Sequence, residues 1–262
     1  MRLTVLGSAA SYAGPGQACA SHLIEGEEAR VLFDCGNGSL ANLGAVLDPT
    51  TLDAVFVTHC HPDHFLDLYA LQALLRYAPD GPCEPLLLCV PYGLFERMGA
   101  LLSERGRTEL AAAFKVHELA EGEAVMVGDL VVTPCRVEHT ADSFALVASD
   151  GDVTLCYTSD TALGPGVREA ADGCDLLLAE ATLPEAYRGR APHLTAAEAA
   201  ELARDAGAGE LVLTHVWPTN DRERMVEEAA AIFAGPVVVA RELDTLEVGS
   251  ALLCERERKA DS

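Results

Sequence analysis

Short runs of apolar residues recur along the chain, and each run is bounded by glycine, proline or charged residues. A short continuous apolar run is typical of a buried strand, whereas a helix needs a longer segment. The runs predict strands near residues 2–7, 20–25, 29–34, 54–58, 86–90, 125–133, 144–149, 153–158, 175–179, 211–214 and 236–240. Other segments predict helices near residues 38–47, 65–77, 92–103, 107–113, 166–171, 196–206 and 221–234.

The order of these elements predicts two β-rich halves. Strands followed by helices fill the first half, and the same order recurs after about residue 115. Because each sheet must bury its apolar faces, we expect an α/β fold in which two sheets pack on each other with helices outside. No low-complexity linker interrupts the chain, which favours a single domain over residues 1–262.

One predicted helix has signals at both of its ends. Thr195 precedes Glu198 by three residues, which is the spacing of a capping box at a helix N-terminus. Residues 196–206 are strongly helix-forming, and Gly207 supplies a C-terminal stop. The strand predicted at 211–214 follows this helix and ends at His215.

The composition is that of a globular protein, with 50% hydrophobic residues and a mean hydropathy of +0.17. The longest apolar stretches are far too short to span a bilayer. The N-terminus breaks into glycine and serine directly after residues 1–7, which favours a first strand over a signal peptide. Nine cysteines are scattered without a CxxC pair, as expected of reduced thiols. We therefore expect a cytoplasmic protein without a membrane partner.

The charge of the chain disfavours nucleic acid as a partner. Lysine and arginine number 18 against 41 acidic residues, which gives a net charge of -23. A field of that sign repels polyanions unless a local basic patch overrides it, and no block of five basic residues is visible. A small anion that is attracted by bound metal ions remains an open alternative.

The densest group of chemically active side chains lies in six residues, His59-Cys60-His61-Pro62-Asp63-His64. The group sits where a predicted strand ends and a predicted helix begins, a usual place for a site in an α/β protein. Alternate residues of an extended loop point the same way, so His59 and His61 can share one metal ion. Asp63 and His64 follow the turn at the proline and can face a second ion.

Three further candidate ligands also stand at predicted strand ends, and these are His139, Asp160 and His215. One edge of a sheet could gather all of them beside the histidine cluster. Imidazole and carboxylate ligands without thiolate suit Zn²⁺, Mn²⁺ or Fe in a catalytic site that keeps open positions. A structural zinc site would more usually use cysteines.

Together, these motifs resemble the metallo-β-lactamase superfamily, and their spacing resembles its ribonuclease Z-like branch. Ser159-Asp160-Thr161 stands where the branch usually has Gly-Asp-Thr, and Glu180-Ala181-Thr182 follows a buried strand. His193-Leu194-Thr195 opens the capped helix, and Leu213-Thr214-His215 completes the set. The match runs from Val5 to about Val239. The resemblance implies an αββα sandwich of two mixed sheets and a dinuclear metallohydrolase.

The resemblance also implies a role for each candidate ligand. One metal would be bound by His59, His61 and His139, and the other by Asp63, His64 and His215. Asp160 would bridge two divalent ions, with zinc expected first and manganese or iron as alternatives. A hydroxide between the ions would attack the substrate, and Asp63 would help to orient that hydroxide.

Four further residues match positions that act on the substrate in this branch. His193 would supply a proton to the leaving oxygen, and Glu180 would hold the imidazole of His193. Ser143 matches a serine that the branch often places near the phosphate. Trp217 could stack on a base, and it could equally be a packing residue.

Two departures from the family pattern bear on the substrate. True ribonuclease Z carries a basic, glycine-rich arm that grips tRNA, whereas this chain has no such segment and is strongly acidic. The chain most resembles compact actinobacterial members that are similar to cyclic nucleotide phosphodiesterases. This implies hydrolysis of a small phosphodiester, with 3′,5′-cyclic AMP first, and no tRNA partner. A homodimer remains open, since members of the branch are often dimers.

Three alternatives remain beside this prediction. The chain could hydrolyse another small ester, such as a cyclic ribose phosphate, a lactone or a thioester. It could be an endonuclease similar to the enzymes that process the 3′ end of tRNA. It could also be a metal-binding module without catalysis, although decay of that kind usually removes a ligand and the seven-ligand set is intact.

Overall fold

The computed structural model describes residues 1–79 and 81–249. Within these residues, two sheets of seven strands each are present. The first sheet contains β1 (Arg2–Gly7), β2 (Ser21–Glu25), β3 (Arg30–Phe33), β4 (Ala54–Phe56), β5 (Leu86–Val90) and β6 (Phe114–Glu118). The strands β3 to β6 run parallel to one another, so the loops that follow them emerge at the same edge.

The second sheet forms from the later part of the chain. It contains β7 (Val125–Val127), β8 (Leu130–Arg136), β9 (Phe144–Ser149), β10 (Thr154–Tyr157), β11 (Leu176–Glu180), β12 (Glu210–Thr214) and β13 (Val237–Val239). The strands β10 to β13 are parallel. A last strand, β14 (Thr245–Glu247), returns to the first sheet and pairs with β1.

Among the described residues, seven α-helices cover the outer faces of the two sheets. Those on the first sheet are α1 (Ser39–Val46), α2 (Leu68–Tyr77), α3 (Leu94–Ala100) and α4 (Glu104–Ala113). Those on the second sheet are α5 (Pro165–Ala171), α6 (Ala196–Ala206) and α7 (Arg222–Ala230). The arrangement is the αββα sandwich that the sequence predicts.

Alternation along the strands explains why the sheets are buried on both faces. In β11, Leu176 and Leu178 pack between the two sheets, while Leu177 and Ala179 pack against the helices. In β4, Phe56 lies between the sheets and Val55 faces the helices. Since both faces are covered, these parallel strands are continuous apolar runs, and for this reason they are recognisable in the sequence.

The predicted caps of α6 are confirmed. The backbone N–H of Glu198 donates to the hydroxyl of Thr195 over 3.2 Å, and the backbone N–H of Thr195 donates to Glu198 over 3.0 Å. Gly207 ends the helix with a φ of 68°. His193 lies two residues before the N-cap residue, Thr195.

Several predicted boundaries differ from the structure. The single strand predicted at 125–133 is a hairpin of β7 and β8, because Gly128 turns the chain with a φ of 56°. The helix predicted at 92–103 is the shorter α3 (Leu94–Ala100), and the helix predicted at 107–113 is the longer α4 (Glu104–Ala113). The sequence did not predict the edge strands β6 and β14, since their outward-facing positions are polar or charged and break the apolar run.

Some sequence-based expectations concern the whole chain. Within residues 1–79 and 81–249, no helix is both long and apolar enough to cross a membrane. The eight cysteines in those residues are free thiols, and Cys254 lies outside them. Burial raises the pKa of Cys89 to about 12, so that thiol is protonated at neutral pH. The single domain over residues 1–262 stays a prediction, and residues 250–262 lie outside the described part.

Candidate metal centre

The predicted ligands lie on loops that follow strands of both sheets. Residues 59–64 follow β4, His139 follows β8, Asp160 follows β10 and His215 follows β12. Because the carboxyl ends of parallel strands meet at one edge, these loops converge there. Their ligand atoms form two groups, each within 4.8 Å: His59, His61, His139 and Asp160; and Asp63, His64 and His215.

The first group has a geometry that fits one metal ion. Nδ1 of His61 lies 3.0 Å from Nε2 of His59 and 3.1 Å from Nε2 of His139. Oδ2 of Asp160 lies 3.6 Å from Nε2 of His59. Ligand atoms bound at 2.0–2.1 Å around a tetrahedral zinc are separated by about 3.3 Å, so these atoms already have nearly the required spacing.

The second group lies directly beside the first. Nε2 of His215 is 3.2 Å from Nε2 of His64 and 3.3 Å from Oδ2 of Asp63. Oδ1 of Asp160 faces this group, at 3.4 Å from Nε2 of His64. That oxygen is buried and has no hydrogen-bond partner among the described residues, which is costly unless a cation compensates it. The donor set therefore fits two ions with Asp160 between them.

Hydrogen bonds from outside the two groups orient four of the imidazoles. Each of the four uses Nδ1 for an outer partner and turns Nε2 toward the other predicted ligands. The pairs are His59 with the hydroxyl of Thr58 (3.1 Å), His64 with Asp34 (2.8 Å), His139 with the carbonyl of Pro192 (3.0 Å) and His215 with the hydroxyl of Thr182 (2.8 Å). Outer partners of this kind are usual for histidines that bind metal.

Sequence reasoning missed Asp34, which is fully buried below the site. Its Oδ2 accepts hydrogen bonds from Nδ1 of His64 at 2.8 Å and from the hydroxyl of Tyr157 at 2.9 Å. Its Oδ1 accepts from the backbone N–H of Thr58 at 2.8 Å. A carboxylate directly after the apolar run of β3 is the same signal that identified Asp160, and it could have indicated this residue as well.

The electrostatics of the site keep its carboxylates charged. Burial alone would raise the pKa of Asp160, but the charges of His215 and His64 outweigh it and hold that pKa well below its usual range. Burial also opposes a charge on His64, yet Asp160 and Asp34 raise its pKa well above normal. Burial lowers the pKa of His59 well below normal, and the charge of His64 adds to this effect. Asp160 is therefore ionised, as a carboxylate that binds a metal ion must be.

Backbone strain is concentrated at the same place. Five described residues other than glycine have a positive φ, and four of them, Ser11, Asp34, Ser159 and His215, border the site. Such conformations are costly for these residue types and persist where the surroundings enforce them. At Ser11, with a φ of 61°, the backbone N–H donates to Oδ2 of Asp63 over 2.7 Å. Sequence reasoning also missed this contact.

Glu180 and His193 form a pair at the edge of the centre. Nδ1 of His193 bonds to Oε1 of the fully buried Glu180 at 2.9 Å. Burial opposes a charge on His193, but the hydrogen bond and the charge of Glu180 outweigh it and raise the pKa of His193 to about 9. His193 also forms a third group of potential ligands with Asp160 and His215. Its Nδ1 is 3.9 Å from Asp160, so the contact with Glu180 is the closer one.

The two predicted substrate contacts lie in different surroundings. Ser143 is 1% exposed, and its hydroxyl bonds to the backbone N–H and the hydroxyl of Thr140 in the loop that carries His139. Trp217 is half-buried and follows His215 by two residues. The structure therefore commits the hydroxyl of Ser143 to its own loop, and both substrate contacts stay predictions.

The chain is similar to known proteins over nearly its whole length. The family model for the beta-lactamase superfamily domain matches residues 29–216. The uncharacterized protein Rv1339 of Mycobacterium tuberculosis is 35% identical over 256 residues, which cover 96% of this chain and 93% of that protein. The probable metallo-hydrolase YhfI of Bacillus subtilis is 26% identical over 243 residues, which cover 92% of this chain and 97% of that protein.

Solved structures share the same architecture. The crystal structure of YhfI, a metallo-beta-lactamase fold protein, matches with a TM-score of 0.84 and 25% identity, covering 94% of this chain and 99% of that one. The short form of human tRNase Z matches with a TM-score of 0.77 and 25% identity, covering 95% of this chain and 99% of that one.

Proposed function

The chain belongs to the β-lactamase superfamily and is a metal-dependent hydrolase, and from this premise we propose that it hydrolyses small phosphodiesters, with 3′,5′-cyclic AMP first. The observation that carries the proposal is the pair of the buried Glu180 and the partly exposed His193 beside two groups of potential metal ligands. A phosphodiester has a poor alkoxide leaving group, and that group departs more readily when it receives a proton. A site for phosphodiesters therefore benefits from a proton donor next to its metals.

In this proposal two divalent ions, zinc first, are held by the seven predicted ligands. His59, His61 and His139 hold one ion, Asp63, His64 and His215 hold the other, and Asp160 contacts both. Bound there, the ions would lower the pKa of water to give a nucleophile at neutral pH and would offset charge on the phosphoryl oxygens. Asp63, fixed by the backbone N–H of Ser11, would orient the attacking hydroxide.

His193 is the proposed proton donor. Its Nδ1 is held by Glu180, whose hydrogen bond and charge raise the pKa of His193 to about 9 in the protein without metal and so favour the protonated imidazole. A proton on Nε2 can then be given to the leaving oxygen, and the charge of Glu180 stabilises the donor until that step. Glu180 itself is fixed by the backbone N–H of Thr161, which donates to it over 2.7 Å.

The charge of the chain supports a small substrate over tRNA. The net charge of -23 repels a polyanion such as tRNA, whose many phosphates all carry negative charge. A cyclic nucleotide carries a single negative charge, which the bound metal ions can offset. Trp217, which follows His215 by two residues and is half-buried, would offer an aromatic surface to a base. The similarity to human tRNase Z makes processing of precursor tRNA the competing function.

A single metal-loaded preparation can test both functions. The panel contains 3′,5′-cyclic AMP, 3′,5′-cyclic GMP, a linear dinucleotide, a lactone, bis(p-nitrophenyl) phosphate and a precursor tRNA. We expect hydrolysis of the cyclic nucleotides and of bis(p-nitrophenyl) phosphate, with slow cleavage of the precursor tRNA or none. Efficient cleavage at the 3′ end of the tRNA, or activity confined to the lactone, would overturn the proposal.

A further inference from the structure

The hydroxyl of Thr182 lies between two groups that the proposed function gives to different tasks. Oγ1 of Thr182 is 2.6 Å from Oε2 of Glu180 and 2.8 Å from Nδ1 of His215. The side chain is 1% exposed, so water does not compete for either contact. We propose that Thr182 is a positioning residue that fixes the metal-binding face of His215 and the proton-donor pair together. This inference rests on the proposed function.

The single proton of the Thr182 hydroxyl decides which partner donates in each of its two hydrogen bonds. A hydroxyl carries one proton, and the ionised carboxylate of Glu180 can only accept. The hydroxyl is also 3.0 Å from the carbonyl of His215, but the shorter bond to a charged acceptor is the stronger one. Thr182 therefore donates to Glu180 and accepts from Nδ1 of His215. The imidazole proton is held on Nδ1, and the lone pair of Nε2 faces Asp63 and His64.

The backbone around Thr182 fixes the hydroxyl in this place. The backbone N–H of Thr182 also donates to Oε2 of Glu180, at 3.3 Å, and the side-chain amide of Asn220 donates to the carbonyl of Thr182 over 3.0 Å. Glu180 ends β11 and His215 follows β12, two neighbouring parallel strands. Thr182 therefore connects the ends of these strands where their side chains enter the site.

Loss of this hydroxyl would give Nδ1 of His215 a different neighbour. Oδ1 of Asp160 lies 3.2 Å from that nitrogen and is otherwise without a hydrogen bond among the described residues. Without Thr182, the N–H of His215 can turn to Asp160 and occupy the oxygen that we assign to the second metal. Oε2 of Glu180 would at the same time lose its shortest bond. One deletion is therefore expected to weaken both metal binding and proton donation.

Thr182→Val removes the hydroxyl and keeps the branched shape of the side chain, and Thr182→Ser restores the hydroxyl. Titration of the chelator-treated protein with Co²⁺, followed by absorption, reports metal affinity without any need for activity. For Thr182→Val we expect affinity for the second equivalent to fall about 10–100-fold, as for other lost outer partners. Thr4→Val is the matched control, because it removes a buried hydroxyl that bonds to Thr245 and to no other described residue.

Kinetics supply the second readout. We expect Thr182→Val to lower kcat for 3′,5′-cyclic AMP by about tenfold or more. This loss is smaller than the about 10²–10⁴-fold loss that follows removal of a general acid, because the variant keeps His193. The loss should be smaller for bis(p-nitrophenyl) phosphate, because p-nitrophenolate departs with little need for a proton. A purely structural defect would slow both substrates equally. The Co²⁺ affinity and kcat of Thr182→Ser should lie within about threefold of the native values, since serine keeps the hydroxyl that bonds to Glu180 and His215.

The outcomes separate this inference from the proposed function. A folded Thr182→Val protein with unchanged Co²⁺ affinity and unchanged leaving-group dependence would overturn the role of Thr182. If Thr182→Val does not fold, Thr182→Ser decides, because a serine variant that loses the second metal also overturns it. Absence of phosphodiesterase activity in the native protein would reject the proposed function, while the Co²⁺ titration would still test the link to His215.

Discussion

His193 and Glu180 are joined by a hydrogen bond of 2.9 Å between Nδ1 and Oε1, and none of the described residues bonds to the other ring nitrogen, Nε2. The carboxylate is fully buried, whereas the histidine side chain retains 18% exposure. The pair therefore has an inner end that is fixed by the protein and an outer nitrogen that a substrate can reach. This asymmetry is what a proton donor for a leaving group requires.

Replacement of His193 by alanine should lower kcat for 3′,5′-cyclic AMP by about 10²–10⁴-fold, the usual contribution of a general acid. The defect should shrink for bis(p-nitrophenyl) phosphate, whose leaving group needs little protonation. Glu180→Gln should cause a smaller loss of the same kind, because it perturbs the donor without removing it. Steady-state kinetics on the two substrates provide the measurement.

Metal analysis of the same variant is the control for this prediction. His193→Ala should retain both ions, since the contact of Nδ1 with Glu180 is closer than that with Asp160. Loss of a metal, or equal slowing of both substrates, would instead assign His193 to the third group of potential ligands that it forms with Asp160 and His215.

Asp160→Ala should abolish turnover and reduce the metal content from about two ions per chain to one or fewer, as expected for a two-metal site. The side chain faces both groups, and its loss leaves two neighbouring cations with less compensation of their repulsion. Elemental analysis of protein purified without chelator measures the ratio. Asp205→Ala removes an exposed carboxylate that pairs with Arg168 and should keep both ions. Full metal content in Asp160→Ala would show that the site is assigned wrongly.

The sequence predicts those parts of the fold in which a local pattern reflects burial on both sides. The parallel strands β4, β11 and β12 are continuous apolar runs because helices cover one face and the other sheet covers the other. The edge strands β6 and β14 form through pairing with a neighbour, and their polar outer positions carry no such run. Their existence depends on the sheet, so it could not be predicted locally.

In the candidate site, too, the sequence predicts the features that a local pattern carries. The six residues from His59 to His64 are recognisable because their density has little structural use. Apart from Thr58, which is next to His59 in sequence, the outer partners could not be assigned, since they join residues far apart in sequence: Asp34 meets Tyr157 across 123 positions. Such contacts depend on how the two sheets pack. The structure brings the seven predicted ligands together, and their binding of metal stays a prediction.

Asp34→Asn should weaken metal binding about 10–100-fold, the usual effect of losing an outer partner of a metal-binding histidine. An amide cannot accept on both sides, so either His64 or Thr58 loses its acceptor. Tyr157→Phe should have a smaller effect, because it removes a single bond to the same carboxylate. Chelator competition with folded protein measures the affinity. Equal affinities in native and Asp34→Asn protein would contradict the role of Asp34.

The buried imidazole of His22 should make the fold sensitive to acid. It is fully buried, its ring centroid lies 5.0 Å from that of Tyr157, and its Nδ1 has no hydrogen-bond partner among the described residues. Burial, and then the charges of His64 and His215, lower its pKa to about 3. The unfolded chain takes up this proton near pH 6.5, as an exposed histidine does. Between these values the unfolded state binds one more proton, so stability falls as the pH decreases.

We therefore expect His22→Asn, which cannot take up this proton, to flatten the dependence of the unfolding free energy on pH. A difference of one bound proton changes the unfolding free energy by about 1.4 kcal/mol per pH unit. Between pH 6 and pH 4, the unfolding free energy of the native protein should therefore fall by up to about 1.4 kcal/mol per pH unit more than that of the variant. Urea unfolding of chelator-treated protein at several pH values measures both slopes, because the charges on His64 and His215 that act on His22 refer to the protein without metal. The variant can be less stable at every pH, since it loses packing against Tyr157, and only the slope tests the prediction. Parallel curves for the two proteins would mean that His22 is not held neutral by burial.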